Sequence, residues 1–111
     1  MQRIHLFILA LVMVACVSTP DATPEERARA SYWSALGGYT EAVEQATLWA
    51  TLGKLDRNGA ERFEELRAPA SVALARMKAE LADGNYTAVA TAGRVVNDLL
   101  IWYTAQLAET K

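Results

Sequence analysis

Histidine is nearly missing from this sequence. The one residue, His5, lies inside the first apolar run, so everything beyond it lacks an imidazole. That excludes a Ser-His-Asp or Cys-His nucleophilic centre and the usual zinc ligand sets from the body of the chain. Cysteine is equally scarce: Cys16 is alone, cannot form an internal disulfide, and calls for another explanation. Three prolines and six glycines are too few for a turn-rich β architecture, and after Pro20 and Pro24 only Pro69 follows. Neither sign of charge dominates, with 11 Lys and Arg against 13 Asp and Glu. Arg27, Arg29, Arg57, Arg62, Arg67, Arg76 and Arg94 are interleaved with carboxylates. No basic stripe results, so no nucleic-acid partner is expected. The longest apolar run, Ile4 to Val14, falls short of the roughly 20 residues that span a bilayer.

That run is the informative part of the N-terminus. Met1-Gln2-Arg3 is a short cationic start, the apolar stretch has the length of an export-signal core, and it ends in Met13-Val14-Ala15-Cys16. The segment resembles the lipobox of bacterial lipoprotein precursors, in which a small residue precedes a cysteine. Ala15 matches the small position and Cys16 the lipid acceptor; Met13 and Val14 depart from the usual Leu and Ala or Ser. The resemblance implies a signal peptide over residues 1–15, cleavage after Ala15 and acylation of Cys16. It also implies attachment to a membrane through the lipid. Val17 lacks the aspartate that retains many such proteins at the inner membrane, which favours the periplasmic face of the outer membrane. Val17 to Ala22 is polar, carries Pro20 and has no apolar period, so residues 16–23 read as a lipidated N-terminus and tether.

Residues 24–111 then form one domain, near the lower size limit for a self-sufficient core. Thr23-Pro24-Glu25-Glu26 is a helix start with an N-cap, a proline at the first helical position and a capping-box glutamate. Tyr32, Leu36, Tyr39, Val43, Ala46 and Ala50 recur at helical spacing behind it. Gly37-Gly38 predicts a kink or a close approach by a neighbour. Asp56-Arg57-Asn58-Gly59 reads as a turn, followed by a stripe of Phe63, Leu66, Ala70, Ala73, Met77 and Leu81. Pro69 within that segment predicts a bend or a split near Ala68. Asp83-Gly84-Asn85 closes the second helix, with Gly84 as its left-handed cap. A third stripe runs through Val89, Ala92, Val96, Leu99, Tyr103 and Leu107. Short connections make the expected fold all-α, an up-down-up three-helix bundle. Gly84-Asn85-Tyr86-Thr87-Ala88 is faintly similar to the turn of tetratricopeptide units, but no second copy recurs at a fixed period.

Little chemistry remains. The carboxylate pairs Glu41 with Glu44 and Glu64 with Glu65 have the spacing of solvated helix faces. An EF-hand register centred on Gly59 would put Lys54 at its first ligand position, where a cation cannot serve. No cofactor, metal or small-molecule substrate is expected, and neither is an enzyme.

Surplus apolar residues carry what is left. Leu48, Leu52 and Leu55 lie opposite the first stripe, with Trp49 beside them, and Ile101 and Trp102 point away from the third. Two readings account for them. Either the first helix breaks at Gly37-Gly38 and rotates its second half to bury Leu48 and Leu52, or an interaction surface includes Trp33, Leu48, Trp49, Leu52, Ile101 and Trp102. Its partner would be an envelope protein, a second copy or the bilayer interface. The whole reads as a membrane-tethered, non-enzymatic envelope module. An alternative rests on layout alone, which is similar to that of prophage or plasmid exclusion lipoproteins that block phage or conjugative entry.

Overall fold

A computed structural model describes residues 22–109; Cys16 and the leader lie outside them. Three helices follow one another: α1 (Pro24–Thr51), α2 (Arg57–Ala82) and α3 (Tyr86–Glu109). The fold is the expected all-α, up-down-up bundle, and all three helices touch. The last helix lies between the other two, packing most extensively on α2, then on α1, while α1 and α2 share the least. The bundle is accordingly flattened, 44 × 28 × 15 Å.

Each helix end follows from local residues. At the start of α1 the Glu26 amide donates to Thr23 Oγ1 at 3.1 Å and the Thr23 amide donates to Glu26 Oε1 at 3.2 Å, completing the capping box. The Thr23 backbone bond, then its side chain, holds the Glu26 carboxyl below the ordinary carboxylate range. Its contribution to the cap is present above that range and is lost as the pH falls through the lowered value. Asp56 caps α2 by accepting the Gly59 amide at 2.7 Å, so Asn58 and Gly59 belong to the first turn of the helix rather than to a separate loop. Gly53 and Gly84 have φ of 70° and 76° and end α1 and α2 in the same way. Lys54 and Asn85 donate to the carbonyls of Trp49 and Glu80, and Gly53 and Gly84 to those of Ala50 and Leu81. This is the double bond pattern of a Schellman cap.

Of the alternatives at Gly37-Gly38 and Pro69, neither break occurs. Helix α1 runs unbroken through Gly37-Gly38, and α2 is not split at Pro69. Pro69 is exposed, and packing on either side of it, at Phe63 and Ala70 to Met77, holds the helix across its missing bond. Because α1 does not break, its second half does not rotate, and Leu48 and Leu52 stay outside, 41% and 58% exposed.

The core of α3 is the predicted one: Val89, Ala92, Val96, Leu99 and Tyr103 are buried, with Leu107 packed at the edge. The core of α2 is Phe63, Ala70, Ala73, Leu74 and Met77, flanked by Leu66 and Leu81. In α1 the buried line is Ala28, Ala35, Ala42, Ala46 and Trp49, whereas Tyr32, Leu36, Tyr39 and Val43 are half-buried beside it and Ala50 is exposed. The first stripe is therefore turned by about one position from the expected one. Alanine recurs every seven residues on the buried line, and α3 lies against it. A Cβ on Gly38 would sit 3.0 Å from the Leu100 side chain, and one on Gly93 3.3 Å from Met77 Cε.

Leu99→Ala should cost about 2–5 kcal/mol in urea unfolding of the full chain, because Leu99 is fully buried and the fully buried Val96 and Tyr103 leave its site little room to collapse. The two adjacent glycines should respond oppositely. Gly37→Ala, with nothing within 4 Å of the new Cβ, should stabilise α1 by about 0.5–1 kcal/mol. Gly38→Ala should lose that gain by displacing Leu100, and equal unfolding midpoints for the two variants would contradict the packing described.

Candidate functional site

The six residues expected to form an interaction surface do not share one environment. Trp49 is 5% exposed, and its ring lies 5.8 Å from that of Tyr103 in a tilted pair. It belongs to the core, because the unbroken α1 turns this position toward α3. Trp102 is half-buried, its ring 5.7 Å from that of Phe63 across the α2–α3 contact, and serves the bundle before any partner. Trp33, Leu48, Leu52 and Ile101 are exposed, the first and last by 64% and 61%. Trp33 packs edge-on against Tyr32 at 5.4 Å. Trp33 and Leu48 are separated by about 22 Å of helix axis, so the exposed residues of α1 make two small patches rather than one.

An apolar groove between α2 and α3 was not foreseen. It is a hollow of about 510 Å³, walled by Ala68, Pro69, Val72 and Arg76 on one side and Thr91 and Val95 on the other. Its floor is Ala73 and Ala92, two alanines of the core stripes whose short side chains leave the helices unfilled above them. Val72 is 71% exposed at its rim. The available signal was a β-branched residue off the stripe beside a core alanine, at Val72 next to Ala73 and at Val95 one turn from Ala92.

The acidic pairs are engaged in ordinary helix chemistry. Arg67 donates to Glu64 at 2.9 Å, which holds the Glu64 carboxyl below its usual range. Glu64 first, and then the Tyr39 side chain of α1, raise the Arg67 guanidinium in turn. Arg62 pairs with Glu65 at 3.2 Å. Glu41 accepts a bond from the Tyr103 hydroxyl at 3.4 Å, tying α1 to α3. Such exposed pairs contribute little to stability individually. Among the described residues no three acidic, His or Cys side chains are grouped to hold a metal ion, and no side-chain nitrogen or oxygen is buried without a partner.

The tryptophans separate the core from the surface. Trp49→Ala should lower stability by about 3–5 kcal/mol, whereas Trp33→Ala should leave it within about 0.5 kcal/mol. Thermal unfolding followed by far-ultraviolet circular dichroism reads both, and a large loss from Trp33→Ala would place that ring inside the fold.

Neither the helix order nor these surfaces point to a known relative: comparison with protein-family models, with curated proteins and with solved structures finds no match to this chain.

Proposed function

We propose that this chain is a membrane-tethered, non-enzymatic envelope lipoprotein whose helical bundle acts as a protein-interaction or structural module. The succession of features before residue 24 carries the reading: a cationic start, an apolar run too short to span a bilayer, Ala15-Cys16, and a polar stretch. The start of the bundle supports it. The cap at Thr23 and the Arg27 guanidinium, which donates to the Ala22 carbonyl at 2.9 and 3.2 Å, give the fold its first hold a few residues after the lipid acceptor. Among the described residues no helix is long and apolar enough to cross a membrane. Attachment is therefore assigned to acyl chains on Cys16, each buried methylene contributing about 0.8 kcal/mol. Val17 directs the proposed address to the periplasmic face of the outer membrane.

The α2–α3 groove and the exposed Ile101 support the interaction role, since exposed apolar surface of this kind marks contact with partners. The absence of histidine and of any second cysteine beyond the leader favours binding over catalysis.

Intact mass spectrometry of the membrane fraction from a Gram-negative host tests the reading. The wild type should yield a species beginning at Cys16 with added acyl mass, and Cys16→Ala should yield neither the cleavage nor the acyl groups. A wild-type chain cut elsewhere and unmodified would overturn the lipoprotein assignment, as would an uncut one.

A further inference from the structure

A second cleft, of about 390 Å³, lies between α1 and α3, a volume within the range of small-ligand sites. The two helices run parallel, and residues 62 apart in the chain stand level: Ser31 faces Gly93, Gly38 faces Leu100, and Glu41 meets Tyr103. Gly93 opens the cleft by having no side chain between the helices. Leu100, seated on Gly38, lines its far end. Its polar wall is Arg27, Ser31 and Ser34 from α1 and Arg94 and Asn97 from α3, and no Asp or Glu lines it.

These polar groups stand outside the ion pairs and helix back-bonds that engage most of their kind in the bundle, a condition they share with Arg76 and Ser71 of α2. Arg29, Arg57, Arg62 and Arg67 each pair with a glutamate on their own helix. Arg27 instead directs Nε and Nη2 to the neutral Ala22 carbonyl, so its charge has no carboxylate partner among the described residues. Arg94 has neither an ion pair nor a hydrogen bond among them. The hydroxyls of Thr40, Thr47, Thr51, Thr91 and Thr104 all return to the carbonyl four residues back. Those of Ser31 and Ser34 do not, and the Asn97 amide has no partner within the described bundle. Two uncompensated guanidinium groups, two hydroxyls and a carboxamide thus line one carboxylate-free cleft on a chain of net charge −2.

We propose that this cleft is a binding site for a small phosphate-bearing anion. Guanidinium groups match phosphate oxygens through charge-assisted, paired hydrogen bonds. A donor set spread over two helix walls is better satisfied by a tetrahedral group with three or four oxygens than by a planar carboxylate with two. The site is independent of the lipid anchor, and its phosphate is either a free anion or that of a lipid headgroup.

The test uses the full chain, labelled with nitrogen-15 and held in a non-ionic detergent, at constant ionic strength. Sodium phosphate, glycerophosphoglycerol and sodium acetate are titrated while the Gly93 amide and Arg94 Nε resonances are followed. Both phosphate probes should give saturable shifts and acetate should not. Tighter binding of glycerophosphoglycerol would identify a headgroup as the source, and tighter binding of inorganic phosphate a free anion; either supports the shared chemistry. Arg94→Gln should bind at least about tenfold more weakly, the loss expected for one charge-assisted hydrogen bond. Asn97→Asp, which keeps the side-chain shape but places a carboxylate in the cleft, should abolish binding with the circular dichroism spectrum unchanged. Arg76→Gln, outside the cleft, should bind as the wild type does. Shifts that fail to saturate, an equal response to acetate, or undiminished binding by Asn97→Asp would each overturn the proposal.

Discussion

The arrangement depends on how closely α1 can approach α3. An apolar helix of 24 residues lies between two others, and one of those neighbours meets it through alanine. Ala28, Ala35 and Ala42 remove side-chain bulk at seven-residue intervals, and Gly38 and Gly93 remove it altogether where Leu100 and Met77 press in. Short side chains bury little area each, roughly 25 cal/mol for every Å² of apolar surface withdrawn from water. Their value is geometric: they bring the backbone of α1 near enough for α3 to be covered on two sides. Trp49, tilted against Tyr103 near the C-terminal end of this contact, supplies the bulk that the alanines lack.

That division of labour explains what could be read from the residues beforehand. The α3 stripe was legible in full because Val89, Val96, Leu99 and Tyr103 are large, apolar and spaced without ambiguity. In α1 the large residues Tyr32, Leu36, Tyr39 and Val43 drew the expected stripe toward themselves, while the alanines that occupy the centre weigh little in any apolar count. The same displacement put Trp49 on the surface and Ala50 in the core. Caps were legible at Thr23 and Gly84 because their chemistry is local, within a few residues of chain. At Gly37-Gly38 the close approach occurs and the break does not, and Pro69 does not split its helix, since their local cost is outweighed by burial further along the same helices. Of the two clefts the residues held only a hint, at Val72 beside Ala73. Each depends on which side chains of one helix stand opposite a gap on another, and spacing within a single helix does not contain that pairing.

Charge in the bundle is organised at short range. Ion pairs run between residues three or four apart on one helix, so they decorate the faces without tying helices together. The tie from Tyr103 to Glu41 is a hydrogen bond across the α1–α3 seam, the same seam that carries the polar cleft. The α2–α3 boundary is thus largely apolar, whereas the α1–α3 boundary is lined with alanine and polar groups.

This asymmetry gives the chain an order of assembly. Helices α2 and α3 are neighbours in sequence, joined by the short turn at Gly84, and hold most of the large buried side chains. Contacts of that kind close early, at small loop entropy. Helix α1 comes first in the chain, but its alanine face cannot close on its main neighbour until residues 86–109 exist, and its contact with α2 is the smallest in the bundle. The helix nearest the N-terminus is therefore expected to seat last and to be the first released from an otherwise intact hairpin.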